Sequence, residues 1–182
     1  MIESDRMLKL WRWIGEFHSL LVVSFLIVTV LLVFFQVLLR YIFNAPLMGI
    51  EEFLLLPVAW LYMLGAAYAS YMRGHIDCGI VMLYVKKPMT YKLLKLFRSM
   101  LVLIVCVWLL RWSWWYLKYA VRTDKESPLG YVRMLYVDSS VFCGMALMTT
   151  YSFVEFVDWF LIAIGRKKPV LPKEMEGKGD AG

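Results

Sequence analysis

Three cysteines, two histidines and a 19% share of charged residues are all that this 182-residue chain offers for chemistry and for solvation. Cys78, Cys106 and Cys143 are odd in number and widely spaced, and two of them sit inside apolar runs. That excludes a disulfide framework and a zinc-binding spacing, and leaves small, apolar packing residues. No nucleophile is accompanied by a base and an orienting group. No glycine-rich phosphate loop or metal-ligand spacing is present either, so no enzyme activity, cofactor or metal site is expected. Internal repeats are absent. Charge itself is missing from Ser19 to Leu39 and again from Phe53 to Met72. Such stretches cannot be the surface of a water-soluble domain, because 62% hydrophobic residues leave too little polar surface to cover one.

What is there fits a bilayer. About 20 apolar residues at ~1.5 Å each cross a hydrocarbon core of roughly 30 Å. The two charge-free stretches, 18–39 and 53–72, are therefore read as membrane spans. Two more are expected at about 96–116 and 135–157, the last with room to continue toward Ile164. The first apolar run is far longer than a cleavable signal core and no A-x-A-like site follows, so it reads as a retained span. Between the second and third spans, GHIDCGIVMLYVKKPM at 74–89 is too short to cross. Ile76, Ile80, Leu83 and Val85 can share one helical face there, while Asp77, Lys86 and Lys87 favour water. An interfacial amphipathic helix over about 75–87 is expected, ended by Pro88. Lys92, Lys95 and Arg98 then form a basic membrane-edge stripe that can snorkel toward membrane lipids.

Lys and Arg counts set the orientation. The two tails and the connection between spans two and three hold 14 of the 20 basic residues. The positive-inside rule then places both termini in the cytoplasm. The net charge of +6 belongs to this asymmetry and does not suggest nucleic-acid binding. The fold class is thus all-α integral membrane, with four transmembrane helices and a cytoplasmic-side interfacial helix in residues 1–165. The Pro-, Gly- and charge-rich tail at 166–182 is expected to be disordered.

Charged and aromatic residues at the span ends are the candidate sites. Arg40 ends an outward-going helix, and Glu51 and Glu52 begin the returning one, where a helix N-terminus favours negative charge. Arg40 is expected to pair with Glu51 or Glu52 across the hairpin, with Asn44 and Pro46 shaping the turn. Asp138, Glu155 and Asp158 are the ionisable candidates of the fourth span. Sixteen uncharged residues from Ser139 to Val154 place Asp138 near the outer surface and Glu155 near the inner one. An extension of the span to Ile164 would instead draw Glu155 toward mid-membrane. His18 and His75 are expected at the cytoplasmic edge, as hydrogen-bonding residues of a turn or, in the alternative, as haem ligands. RWSWWY at 111–116 matches an interfacial aromatic belt, with Arg111 able to stack on Trp108 or Trp115. Gly65–Ala69 and Ala66–Ser70 are small-xxx-small pairs whose partner can be another span or another subunit. Pro57 is expected early in the second helix.

QVLLRYIFNAPLMGIEEF, continuing into LPVAWLYMLGAAYASYMRGHIDCGIV, resembles the small, DctQ-like membrane subunit of tripartite ATP-independent periplasmic (TRAP) transporters. The residues that carry the resemblance are Arg40, Tyr41, Phe43 and Asn44, then Glu51, Glu52, Trp60 and Gly65–Ala67, then His75, Ile76 and Asp77. An S-P-x-L-G-type loop follows at Ser127, Pro128, Leu129 and Gly130. The chain departs from the family pattern at Asp138, where a Pro is common. The resemblance implies a non-catalytic scaffold in the bacterial inner membrane. Its expected partners are a large elevator-type subunit carrying the sodium sites and a periplasmic substrate-binding protein. The expected cargo is a carboxylate such as sialic acid or a C4-dicarboxylate. Arg40, Asn44, Glu51, Glu52, Trp60, Gly65, Ala69, His75 and Asp77 become the expected structural and subunit-interface residues. Two other readings stand beside it: a small proton-coupled transporter using Glu51 or Glu52, and a haem-bearing anchor of a redox complex.

Overall fold

The structure is a computed structural model that describes residues 2–42, 49–72, 88–127 and 132–165. Side chains 2–8, 10 and 88 fall outside that description. Four helices carry the fold: α1 (Ile2–Tyr41), α2 (Gly49–Tyr71), α3 (Pro88–Thr123) and α4 (Met134–Ala163). All four are long and apolar enough to cross a membrane. Among the described residues the only strand-like pairing is an isolated bridge between Glu126 and Arg133.

The helices run beyond the apolar stretches that define the spans. α1 begins at Ile2, where a short N-terminal tail is expected from the sequence, and α3 extends through Thr123. The reason is local: the flanking segments are rich in Leu, Lys, Arg and Glu, good helix formers that prolong a helix into the headgroup region. α2 starts at Gly49, so Pro57 is well inside the helix rather than in its first turn. It has no N–H to give the carbonyl four residues back. α3 stops at Asp124, whose φ of 38° is a left-handed turn conformation and whose N–H closes on Ala120 O at 3.1 Å. α4 ends similarly at Gly165, with φ 83°. The expected interfacial helix at 75–87, and with it His75 and Asp77, lies outside the described residues. So do Asn44, Pro46 and the tail from Arg166.

Packing follows a row rather than a closed bundle. α1 packs on α2, α2 on α4, and α4 on α3. Pairs of contacting residues give the directions. Phe25 meets Trp60 while Trp11 meets Tyr71, so α1 and α2 are antiparallel. Trp60 reaches Tyr136 while Tyr71 meets Tyr151, so α2 and α4 run parallel. Trp114 meets Phe142 while Tyr91 meets Trp159, so α3 is antiparallel to α4. In this row α1 and α3 are edges. None of the most apolar window of α1 is buried, and its Val, Leu, Ile and Phe side chains are widely exposed.

Between helices in lipid there is no hydrophobic driving force, so close backbone approach and buried hydrogen bonds must hold them. α4 meets α2 at Gly144, where an added Cβ would lie 2.7 Å from Met63 Cβ and 3.1 Å from Met63 O. α3 meets α4 through Ser99, Cys106, Ser113 and Ala120, all buried. These recur every seven residues, the repeat of a left-handed helix pair. Small side chains at each step let the helices come close. Cys106 Sγ lies 3.6 Å from Ser152 Oγ, and Thr149 Oγ1 donates to Cys106 O at 3.3 Å.

Candidate functional site

Polar groups mark the row at three places, and two of them are buried and join elements far apart in sequence. The first is at the end of the molecule where α2 begins. Glu52 sits in the first turn of α2 and is 6% exposed. Its Oε2 accepts a short hydrogen bond from Ser127 Oγ, in the connection between α3 and α4. Ser127 Oγ in turn accepts from Val132 N–H at 3.2 Å. The connection is closed by Ser127 N–H to Val132 O and Met134 N–H to Lys125 O, both 2.9 Å. A serine at this point serves the backbone of its own loop and the carboxylate of a different helix.

Glu51, one residue earlier, faces outward and accepts from Gln36 Nε2 at 3.2 Å. The expected ion pair between Arg40 and these acids is therefore replaced. Among the described residues the acids use Gln36 and Ser127, and the Arg40 guanidinium lies 5.8 Å from the Tyr41 ring centroid. The 100° step per residue explains the split: adjacent glutamates point to different sides of α2, and only Glu51 faces α1. The other motif residue of this region, Trp60, is one turn past Pro57. It stacks on Phe25 of α1 at 6.1 Å, and its indole N–H donates to Tyr136 O of α4 at 3.1 Å. Trp60 thus bridges three helices.

The second group lies toward the opposite end. His18 is 4% exposed, buried among α1, α2 and α4 rather than placed at a turn. Its Nε2 lies 3.1 Å from Leu64 O, and its Nδ1 lies 2.9 Å from Tyr151 Oη. A carbonyl can only accept, so Nε2 carries the proton, and a neutral ring then accepts the tyrosine O–H at Nδ1. Both ring nitrogens are occupied, which leaves none to ligate a haem iron. Tyr68 and Tyr151 flank the ring, Trp11 and Tyr71 pack against Tyr151, and Tyr71 Oη donates to Trp11 O at 3.3 Å. Gly15 makes room for this: an added Cβ would lie 2.2 Å from Tyr71 Oη.

The third group lies on α4. Asp138 accepts from Tyr116 Oη at 2.7 Å, fixing the α3–α4 pair near its loop end. Glu155 is 9% exposed, on the same buried face of α4 as Tyr151 and Ser152. It makes no hydrogen bond among the described residues. α4 continues to Ala163, so Glu155 is eight residues inside the helix and slightly nearer its middle than its C-terminal end.

The Gly65 and Ala69 face of α2 and most of the aromatic belt of α3 point away from the packed row. A Cβ at Gly65 would meet nothing within 4 Å, and Ala69 is exposed, so this small-residue pair is outside the packed row. The buried small residues of α2 are Ala67 and Ser70. The cation–π partners of the aromatic belt are lysines, with Lys118 over Trp114 at 5.2 Å and Lys125 over Tyr119 at 5.0 Å. Arg111, expected to stack on Trp108 or Trp115, is exposed and makes no such contact among the described residues. The sequence marks His18 and Ser127 as candidates, but nothing local marks their partners on other elements. The seven-residue spacing of Ser99, Cys106, Ser113 and Ala120 is a signal that sequence reasoning missed.

The model of the family "Tripartite ATP-independent periplasmic transporters, DctQ component" matches residues 29–161, well over half of the chain. The chain belongs to this family. A protein of Haemophilus influenzae, provisionally named a TRAP transporter small permease protein, is 29% identical over 140 residues. That alignment covers 76% of this chain and 85% of the relative. The present DctQ protein is accordingly a small membrane subunit of a TRAP transporter, with four helices able to cross the membrane. The matched region holds Glu52, Trp60, Ser127 and Gly144, whereas Gly15 and His18 precede it. A DctQ subunit implies a large TRAP membrane subunit and a substrate-binding protein as companions.

Proposed function

We propose that this DctQ subunit is a non-catalytic scaffold in the bacterial inner membrane, with both termini cytoplasmic. It widens the stationary part of a transporter whose large subunit binds sodium and moves a carboxylate by an elevator-like motion. The observation that carries the reading is the row α1–α2–α4–α3 with two exposed apolar edges. A self-contained carrier needs a bundle enclosing a polar route, with an ionisable group free to load and unload. Here Glu52 is anchored to Ser127, and Glu51 is at the surface beside Gln36. The row instead offers a broad face to a larger partner, and the polar latches keep that face rigid. The excess of Lys and Arg in the tails and in the α2–α3 connection supports the orientation.

Arg40, Asn44, Glu51, Gly65, Ala69, His75 and Asp77 are the residues proposed for the subunit interface. Gly65 and Ala69 are open on α2 and suit close approach of a partner helix. Reconstitution tests the proposal. Liposomes holding this chain with a large TRAP subunit, given the periplasmic binding protein and an inward sodium gradient, should accumulate labelled sialic acid or C4-dicarboxylate. Liposomes holding the chain alone should accumulate none. Robust uptake by the chain alone would overturn the scaffold reading, and failure of the two subunits to co-purify would do the same.

A further inference from the structure

The face of α3 turned away from α4 carries a feature that the packing of the row leaves unused. Arg111 is at its centre, diametrically opposite the buried Ser113 and Ala120 side at 100° per residue. Two grooves meet there. One, about 370 Å³, is lined by Trp108, Arg111, Trp112 and Trp115. The other, about 450 Å³, runs from the same Trp108 and Arg111 along Leu103, Ile104 and Val107, away from the C-terminal end of α3. The indoles are turned outward, with Trp108 62% and Trp115 66% exposed. Lys118 and Arg122 follow on the same stripe, closer to the end of the helix.

Depth decides what such a cation needs. α3 has 36 residues, ~54 Å at the standard rise, against a hydrocarbon core of ~30 Å. Thr123 lies 12 residues beyond Arg111, ~18 Å of helix. With the helix centred on the bilayer, the Arg111 Cα is then roughly 6 Å inside the apolar boundary. An arginine at that depth extends its guanidinium outward to the level of lipid phosphates and ester groups. Among the described residues no carboxylate pairs with it.

We infer that this stripe of α3 binds an anionic phospholipid, its phosphodiester on the Arg111 guanidinium and an acyl chain in the Leu103–Val107 groove. A planar guanidinium suits two oxygens of a phosphodiester, and the flanking indoles sit at the glycerol-ester level where Trp is favoured. Lys118 and Arg122 add the positive potential that selects an anionic headgroup over a zwitterionic one. The groove continues from Arg111 toward the bilayer centre, the direction an acyl chain takes from its own phosphate. The inference rests on membership of a membrane-subunit family and is independent of the scaffold role and of the substrate.

Native mass spectrometry tests it. The full chain, alone and co-purified with its large subunit, is released from bilayers of equal phosphatidylglycerol and phosphatidylcholine. The wild type should retain phosphatidylglycerol several-fold over phosphatidylcholine. Arg111→Gln should bring the two near parity, Arg111→Lys should keep part of the preference, and Trp108→Ala should lower retention of both lipids. Circular dichroism checks that the variants fold. If Arg111→Gln does not, the wild-type lipid ratio and the Arg111→Lys variant carry the test. Parity in the wild type, or an unchanged preference in Arg111→Gln, would overturn the inference. So would Arg111→Gln abolishing the complex with the large subunit while leaving lipid retention intact, because the stripe would then be a protein contact.

Discussion

Gly144 is a point of close approach between α2 and α4, and it makes a sharp test of how the row is held. Replacing it with Ala places a Cβ 2.7 Å from Met63 Cβ and 3.1 Å from Met63 O. Carbon atoms normally rest at ~3.5–4.0 Å, so the helices must separate by roughly 1 Å. A carbonyl of the facing backbone cannot swing aside as a side-chain tip would. Overpacking of this kind costs about 1–3 kcal/mol, offset by up to ~1 kcal/mol of helix propensity gained on leaving glycine. Gly144→Val adds bulk and recovers less propensity, so it should lose about 2–3 kcal/mol. Gly65, on the same helix as Met63, is the internal control. A Cβ there meets nothing within 4 Å, so Gly65→Ala should be neutral or slightly stabilising in the isolated chain. The assay is SDS titration of the purified protein in mixed micelles, followed by circular dichroism. Separation of α2 from α4 would also stretch the Trp60-to-Tyr136 hydrogen bond, so indole fluorescence should change with Gly144→Val. A Gly144→Val variant as stable as Gly65→Ala would refute the reasoning.

Two further latches can be measured in the same way. Ser127→Ala removes the hydroxyl shared by Glu52 and Val132 N–H. A double-mutant cycle with Glu52→Gln should give a coupling of about 1–3 kcal/mol, reflecting a hydrogen bond to a charged group, and a coupling indistinguishable from zero would separate the two residues. Tyr151→Phe deletes the O–H that His18 Nδ1 accepts and should cost about 0.6–1.7 kcal/mol, the range for hydrogen bonds between membrane helices. His18→Phe should cost more, since it also strips the partner from Leu64 O, and equal losses for the two variants would contradict that ordering.

The architecture was legible where a single physical requirement governed it. Charge-free runs of membrane length announce helices, and no alternative backbone satisfies its polar groups in lipid. The order in space was not legible, because α1 and α2 have small hydrophobic asymmetry and lipid does not reward burying one face over another. The hairpin acids were expected to pair with Arg40, and their partners lie elsewhere. Adjacency in the turn suggested Arg40 for the acids, whereas Gln36 is one helical turn earlier and reaches Glu51, and Ser127 comes from 75 residues away to reach Glu52. His18 was expected to hydrogen-bond a turn at the cytoplasmic edge because it opens the first span. Two hydrogen-bond partners on two other helices make it a buried residue instead, and neither partner has any sequence signal.

These misassignments share a cause that also explains how the subunit is built. In a water-soluble bundle the apolar residues are the adhesive, and a sequence pattern reveals them. In this chain the apolar residues face outward, and contact between helices is left to small and hydroxyl-bearing residues. Ala67, Ser99, Cys106, Ser113, Ser140 and Ser152 are buried, while Leu and Phe side chains of α1 are exposed. Such residues let backbones approach, yet each contributes little by itself. A row held by many small contacts and a few polar latches gains rigidity only if the latches join non-neighbouring segments. Glu52–Ser127 joins α2 to the α3–α4 connection, Trp60 joins α1, α2 and α4, and His18 joins the same three helices toward the other end. Latches at both ends of the α1–α2–α4 row oppose its splaying, and this is why the few long-range polar contacts matter more to the architecture than their number suggests.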